Sequence, residues 1–306
     1  MNFQQTLKSA VSIDGIGLHS GQPVTITLRP ARPNSGIQFV RTDLVPSVQI
    51  TAHYKNVVNT QLATTLGRGS VQISTVEHVL AALELMGIDN VIAEVTGPEV
   101  PILDGSAVGF CDAIEAAGIQ TQLQSRPMLM VRRSVELKIA GKWAIAEPSS
   151  RLEVHETVEW DHPAIGFQEF HYIEGQTSYD ELASARTFGF LRDVENLKKM
   201  GLARGGSLDN AVVLDDFSIL NSGGLRYSNE FVRHKVLDAL GDFKLSGIGI
   251  KASVRLHRAG HDLHSQLISA IFANPDNYEI VESVPREERL RQTRVGTALG
   301  RRLATI

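Results

Sequence analysis

Twice along this chain the hydrophobic period changes from two to about 3.6, and that alternation limits its fold more than any other feature. Val24-Thr25-Ile26-Thr27-Leu28 alternates, is rich in β-branched residues, and stops at Arg29-Pro30, as a half-buried strand should. Val71-Gln72-Ile73 reads as a second strand and runs into residues 74–83, where apolar positions take helical spacing up to a C-cap at Gly87. A buried-looking strand over 90–95 follows, then a stiff loop over 98–101 and a helix over about 107–117. Near 123–127 the text turns polar. Met128-Leu129-Met130-Val131 then opens a second series, with strands near 135–147 and 152–160 and helices near 192–200, 228–245 and 261–273. This repeat predicts an α+β protein of two related domains, 1–126 and 127–284. A local echo points the same way: Gly87-Ile88-Asp89-Asn90-Val91-Ile92 is similar to Gly206-Ser207-Leu208-Asp209-Asn210-Ala211-Val212-Val213.

Composition narrows the chemistry. With 42% hydrophobic and 21% charged residues, the 306-residue chain has enough apolar material for two cores. Its net charge of −4 provides no basic field for nucleic acid. No apolar run approaches the roughly 18 residues of a membrane helix. The first residues, Met1-Asn2-Phe3-Gln4-Gln5-Thr6-Leu7-Lys8, lack a signal-peptide pattern, so a cytoplasmic protein is expected. Residues 285–306 set six arginines (Arg286, Arg289, Arg291, Arg294, Arg301 and Arg302) against Glu287 and Glu288. They read as a solvated basic tail, with contact to anionic lipid as the sharper alternative. A single cysteine, Cys111, excludes internal disulfides and a multi-thiolate zinc site. Any metal must be held by His, Asp and Glu, which makes the ten histidines the informative residues.

Three groups of them matter. His234 and Asp238 lie four apart in Phe231-Val232-Arg233-His234-Lys235-Val236-Leu237-Asp238-Ala239-Leu240-Gly241-Asp242-Phe243, so a helix puts them on one face with Asp242 a turn further on. Such a pair can take two sites on a divalent cation, although spacing alone favours a plain surface His–Asp pair. Glu77-His78 sets a carboxylate beside a candidate ligand, but Ser74-x-x-Glu77 also fits a capping box. The third group, His257, His261 and His264, precedes or opens a helix, where a histidine can be a ligand, an acid or an oxyanion partner. His155, His162 and His171 are expected to be structural. No His-Glu-x-x-His helix exists, and Gly205-Gly206 and Gly223-Gly224 read as turns rather than phosphate-binding loops.

Taken together, Ser74-Thr75-Val76-Glu77-His78, Pro101-Ile102-Leu103-Asp104-Gly105-Ser106, Ala185-Arg186-Thr187-Phe188-Gly189-Phe190, the His234–Asp238 segment and Gly260-His261 resemble the UDP-3-O-acyl-N-acetylglucosamine deacetylase family, in order over nearly the whole chain. The resemblance implies two α+β domains packed face to face, each a sheet with helices, with a Zn2+ site between them. It implies deacetylation of an acylated UDP-N-acetylglucosamine, the committed step of lipid A synthesis, by a monomer with no nucleic-acid partner and no transmembrane segment. Carried onto this sequence, the zinc ligands fall on His78, His234 and Asp238. Glu77 becomes the general base, His261 its positively charged partner, Asp242 the carboxylate that orients that histidine, and Thr187 a donor to the oxyanion. Phe188, Leu191, Leu197, Leu202, Ser207 and Ala211 become candidates for an acyl passage, Lys235 and Arg258 for the diphosphate, and Trp160 for stacking on uracil. Trp160, Arg258 and Leu191 stand where relatives commonly have Phe, Lys and Met, and His264 is an additional imidazole. The alternative is a zinc amidase acting on another acylated amide or sugar.

Overall fold

The computed structural model describes residues 3–282, so the basic tail expected over 285–306 lies outside the described residues. The first half runs β1 (Phe3–Leu7), β2 (Val11–Ile16), β3 (Pro23–Pro30), β4 (Ile37–Arg41), β5 (Val48–Thr51), β6 (Val57–Asn59), β7 (Thr65–Arg68), β8 (Val71–Ile73), α1 (Glu77–Leu85), β9 (Val91–Val95), α2 (Val108–Ala117) and β10 (Ile119–Ser125). The second runs β11 (Pro127–Val131), β12 (Val135–Ile139), β13 (Lys142–Pro148), β14 (Leu152–Trp160), β15 (Gly166–Ile173), β16 (Phe188–Phe190), α3 (Leu191–Lys199), β17 (Val212–Leu214), α4 (Glu230–Phe243), β18 (Gly249–His257), α5 (His261–Ala273) and β19 (Tyr278–Glu282). The fold is therefore mixed α+β, as the changes of period predict.

The duplication is visible in the strand pairing. The first sheet has the order β2-β3-β9-β4-β5, with β4 parallel to β9 and the other neighbours antiparallel. The second contains β12-β13-β18-β14-β15, with β14 parallel to β18 and the rest again antiparallel. In both halves one helix precedes the central strand and another follows it. Each half also pairs its first and last strands, β1 with β10 and β11 with β19. Extra elements enter at the same point of each repeat, before its first central helix: β6 to β8 in one half, β16-α3-β17 in the other. The local sequence echo is misplaced, however. Residues 206–213 lead into β17 of the small β16–β17 ribbon, whereas the counterpart of β9 is β18.

The polar break expected near 123–127 is also strand. β10 continues to Ser125, leaving Arg126 alone between it and β11. Its polar text fits its position, because β10 pairs only with β1 and none of its residues is fully buried. Among the described residues no strand pairing crosses Arg126.

Two helices position the site. The Ala- and Leu-rich text of α1 favours helix because those side chains lose little rotamer freedom there. The helix ends ahead of Gly87, which turns the chain at a φ of 70°. Its first seven residues are all buried, and α4 buries twelve of its fourteen, so both are central rather than surface helices. Among the described residues they make the most extensive helix–helix contact, and they approach closely at Gly241. A Cβ there would lie 2.1 Å from the Glu77 carbonyl oxygen and 3.1 Å from the Ala81 nitrogen. Only glycine permits so close an approach. Among the described residues no helix is long and apolar enough to cross a membrane.

Candidate metal centre and active site

Close packing of α1 on α4 brings together side chains separated by more than 150 residues. His234 and Asp238, one turn apart on α4, face His78, the second residue of α1. Asp238 Oδ1 lies 3.2 Å from His234 Nε2 and 3.7 Å from His78 Nε2. The two imidazoles meet edge to face, with ring centroids 5.1 Å apart. All three side chains are buried. The plain reading of His234 and Asp238 as a surface pair therefore fails, because α4 is enclosed on nearly every side.

Hydrogen bonding decides what this cluster can hold. His234 Nδ1 lies 3.1 Å from the Ala185 carbonyl oxygen, which can only accept. The ring proton therefore sits on Nδ1, and Nε2 turns a lone pair toward Asp238. Burial lowers the pKa of His234, and burial together with the neighbouring His234 lowers that of His78 to about 3, so both imidazoles are neutral at physiological pH. Burial opposes the charge on Asp238, but His234, Lys235 and His261 hold its pKa well below the usual carboxylate range. Lys235 Nζ donates to its other oxygen, Oδ2, at 2.9 Å. Asp238 Oδ1 and His78 Nδ1 are buried without a hydrogen-bond partner. Converging lone pairs on two neutral imidazoles and one carboxylate suit a divalent cation with nitrogen and oxygen ligands.

Beside the cluster lies a second, proton-handling group. Glu77 is the first residue of α1, yet it forms no capping box. Thr75 sits at a φ of 58°, Val76 is the N-cap without a side-chain bond, and Glu77 Oε2 accepts the Thr64 N–H at 2.9 Å. Burial pushes the Glu77 carboxyl up to about 7, partly offset by the charge of His261. His261 opens α5, where both burial and the helix dipole disfavour a proton. Asp242 overrides them. Its Oδ2 lies 2.7 Å from His261 Nδ1, and the ion pair and hydrogen bond raise the histidine to about 9. Burial opposes ionisation of Asp242 itself, but His261 and the hydrogen bonds around it hold it at about 2.

A cleft of about 500 Å³ opens onto this set and is lined by Glu77, His78, Thr187, Phe188, His234, Lys235, Asp238, Arg258, His261 and Trp160. Thr187 is held in the wall by its N–H, which donates to the Gly105 carbonyl oxygen at 2.7 Å. Gly105 has a φ of 86° and abuts the Asn210 carbonyl, so no side chain fits there. Trp160 packs edge-on against Phe188, their centroids 5.4 Å apart, and Arg258 is exposed at the rim. Lys235, expected at the diphosphate, lines the cleft but gives its ammonium to Asp238.

A second cleft of about 510 Å³ shares Leu18, Leu62, Thr187 and Phe188 with the first. Its wall is largely apolar and includes Leu191, Leu197, Ser207 and Ala211, mostly from the β16-α3-β17 insertion. Leu202 does not line it; its N–H bonds back to the Leu197 carbonyl in the turn after α3.

Four other histidines have partners outside this cluster. His162 accepts the Ala164 N–H and donates to the Asp215 carbonyl oxygen, His155 and His171 face each other across β14 and β15, and His257 bonds Thr157. Sequence reasoning missed Thr64, which serves Glu77 and Asp242 at once, and Glu156, whose Oε1 accepts the Ala259 N–H and ties down the loop before His261. It also passed over Gly241. No spacing rule connects Thr64 to partners 13 and 178 residues away.

Comparison with known proteins identifies the family. The family described as LpxC: UDP-3-O-acyl N-acetylglycosamine deacetylase matches residues 4–273. A Myxococcus xanthus protein named UDP-3-O-acyl-N-acetylglucosamine deacetylase is 49% identical over 285 residues, covering 93% of this chain and 91% of its own. Proteins of the same name from Citrifermentans bemidjiense, 46% identical with 94% of each chain covered, and Haemophilus influenzae, 44% identical with 93% and 95% covered, are similar over the same extent. The chain therefore belongs to the UDP-3-O-acyl-N-acetylglucosamine deacetylase family.

Proposed function

We propose that this protein removes the N-acetyl group from a UDP-3-O-acyl-N-acetylglucosamine, the committed step of lipid A synthesis, using a zinc ion held by His78, His234 and Asp238. The proposal includes a monomer acting in the cytoplasm, with the metal between two α+β units, 1–126 and 127–284. One observation carries it: two neutral, buried imidazoles and an ionised carboxylate converge beside a carboxyl near 7 and an Asp-paired histidine near 9.

Each residue then has a role. Held by these residues, a zinc ion would supply Lewis acidity, which makes water a competent nucleophile near neutral pH and polarises an amide carbonyl. Glu77 takes the proton of the attacking water, and a pKa near 7 suits that duty. His261, kept charged by Asp242, and the Thr187 hydroxyl stabilise the negative charge that develops on the carbonyl oxygen. Glu77, once protonated, and His261 both hold a proton that the leaving amine needs. Phe188, Leu191, Ser207 and Ala211 take the fatty chain, while Trp160, Arg258 and Lys235 serve the UDP end. An apolar cleft adjoining the polar one favours an acylated sugar over a general amide.

Metal analysis combined with a deacetylation assay on the acylated UDP-sugar tests the reading. One zinc per chain and turnover that requires the fatty chain are expected, with zinc lost in His78→Ala and His234→Ala. Wild-type zinc occupancy in both variants sinks the ligand assignment, and equal rates on acylated and unacylated substrates sink the substrate assignment.

A further inference from the structure

Asp242 holds more than His261. Its carboxylate takes three hydrogen bonds: Oδ1 from Thr64 Oγ1 at 2.5 Å, and Oδ2 from both His261 Nδ1 at 2.7 Å and His264 Nδ1 at 2.8 Å. The two histidines lie three apart on α5, so a single turn presents both imidazoles to the same oxygen. Their rings stand at 89° to each other, and the edge of His264 packs against Phe243. His264 has no solvent exposure, and its Nε2 has no partner.

A buried imidazole with an orphaned nitrogen is a costly way to fill space, and an apolar side chain would fill it at lower cost. Its one polar contact is the bond to Asp242. A carboxylate oxygen has two lone-pair directions, and here both are occupied by imidazole donors on Oδ2 while Thr64 fixes Oδ1. The carboxylate therefore cannot rotate about its Cβ–Cγ bond without breaking hydrogen bonds. His261 is directed by this fixed acceptor through Nδ1, which leaves Nε2 for the cleft that it lines.

We infer that His264 is a positioning residue for deacetylation: by donating Nδ1–H to Asp242 it locks the carboxylate that aims His261. The inference rests on the reading of His261 as the charged partner of the reaction, and it assigns His264 no contact with substrate or metal.

The test uses zinc-loaded full-length enzyme and the acylated UDP-sugar. His264→Leu removes the donor, and His264→Met does so should the branched side chain not fit. His264→Asn keeps a donor, because its amide nitrogen is as many bonds from the backbone as His Nδ1. The donorless variants should lose about tenfold in kcat with KM and zinc content unchanged, and the Asn variant should stay within about threefold of wild type. In a His261→Gln background, His264→Leu should add no further loss, since it acts through the residue already removed. Wild-type kcat in the donorless variants, an Asn variant as slow as Leu, or an equal loss in both backgrounds overturns the inference. A His261→Gln enzyme at the wild-type rate would instead remove the reading beneath it, whereas a slow His261→Gln beside a fast His264→Leu rejects the positioning role alone.

Discussion

Gly241→Ala adds one methyl group where the two ligand-bearing helices touch. The new Cβ would fall 2.1 Å from the Glu77 carbonyl oxygen, 2.9 Å from its carbon and 3.1 Å from the Ala81 nitrogen, all main-chain atoms of α1. No side chain can swing aside, so the helices must separate by roughly 1 Å, an overpacking that typically costs about 1–3 kcal/mol or more. Alanine recovers about 1 kcal/mol of helix propensity over glycine. A net loss of up to about 2 kcal/mol should lower Tm by up to roughly 3 °C in a chain of this size. The blocking residue is Glu77 itself, and His78 follows it, so the same displacement moves base and ligand away from Asp238 and Asp242. A misplacement of about 1 Å at a reacting centre can cost on the order of a hundredfold in rate. Thermal melts, zinc retention against a chelator and deacetylation kinetics read the three effects. Gly109→Ala on α2 is the control, because its Cβ would meet only the end of the Leu103 side chain. A Gly241→Ala enzyme with wild-type Tm and kcat/KM would refute the argument that this contact sets the site.

Three other outcomes are expected. Glu77→Gln should fold and keep its metal, since the amide oxygen can still accept the Thr64 N–H, yet lose about a hundredfold or more in kcat; near-normal turnover would return Glu77 to a structural role. Activity should rise as pH climbs through about 7, where Glu77 gives up its proton, and fall as pH passes about 9, where His261 loses the charge it needs. His261→Gln should shift or flatten that basic limb, and an unchanged profile would exclude the histidine. Ala211→Leu should fill part of the apolar cleft, costing long acyl chains about fourfold in kcat/KM for each methylene displaced while zinc content holds; an unaltered chain-length preference would place the acyl group elsewhere.

How much could be read in advance depended on the range of each interaction. The spacing of His234 and Asp238 is a one-turn signal, and α4 realises it. Glu77 was ambiguous because a capping box and a general base share the same local text. The left-handed Thr75 decides between them, and nothing in Ser74-Thr75-Val76 announces it. The strand Gly249–His257 carries a period of two in Ile250, Ala252, Val254 and Leu256 that the sequence reading does not use, although this strand is central to its sheet. Gly241 was illegible for a different reason. A glycine within a helix reads as a weakness, and its value appears only when a second helix is laid against it. Thr64 and Glu156 likewise act through contacts that only the fold creates.

The two halves repeat one strand topology, but the reactive centre does not repeat with it. α1 and α4 occupy equivalent places in the two repeats, yet His78 is the second residue of one, while His234 and Asp238 are the fifth and ninth of the other. Neither half alone carries the whole donor set, since the first supplies one imidazole and the second an imidazole and a carboxylate. The chemistry thus belongs to the difference between the repeats rather than to what they share, and each chain can build it only once.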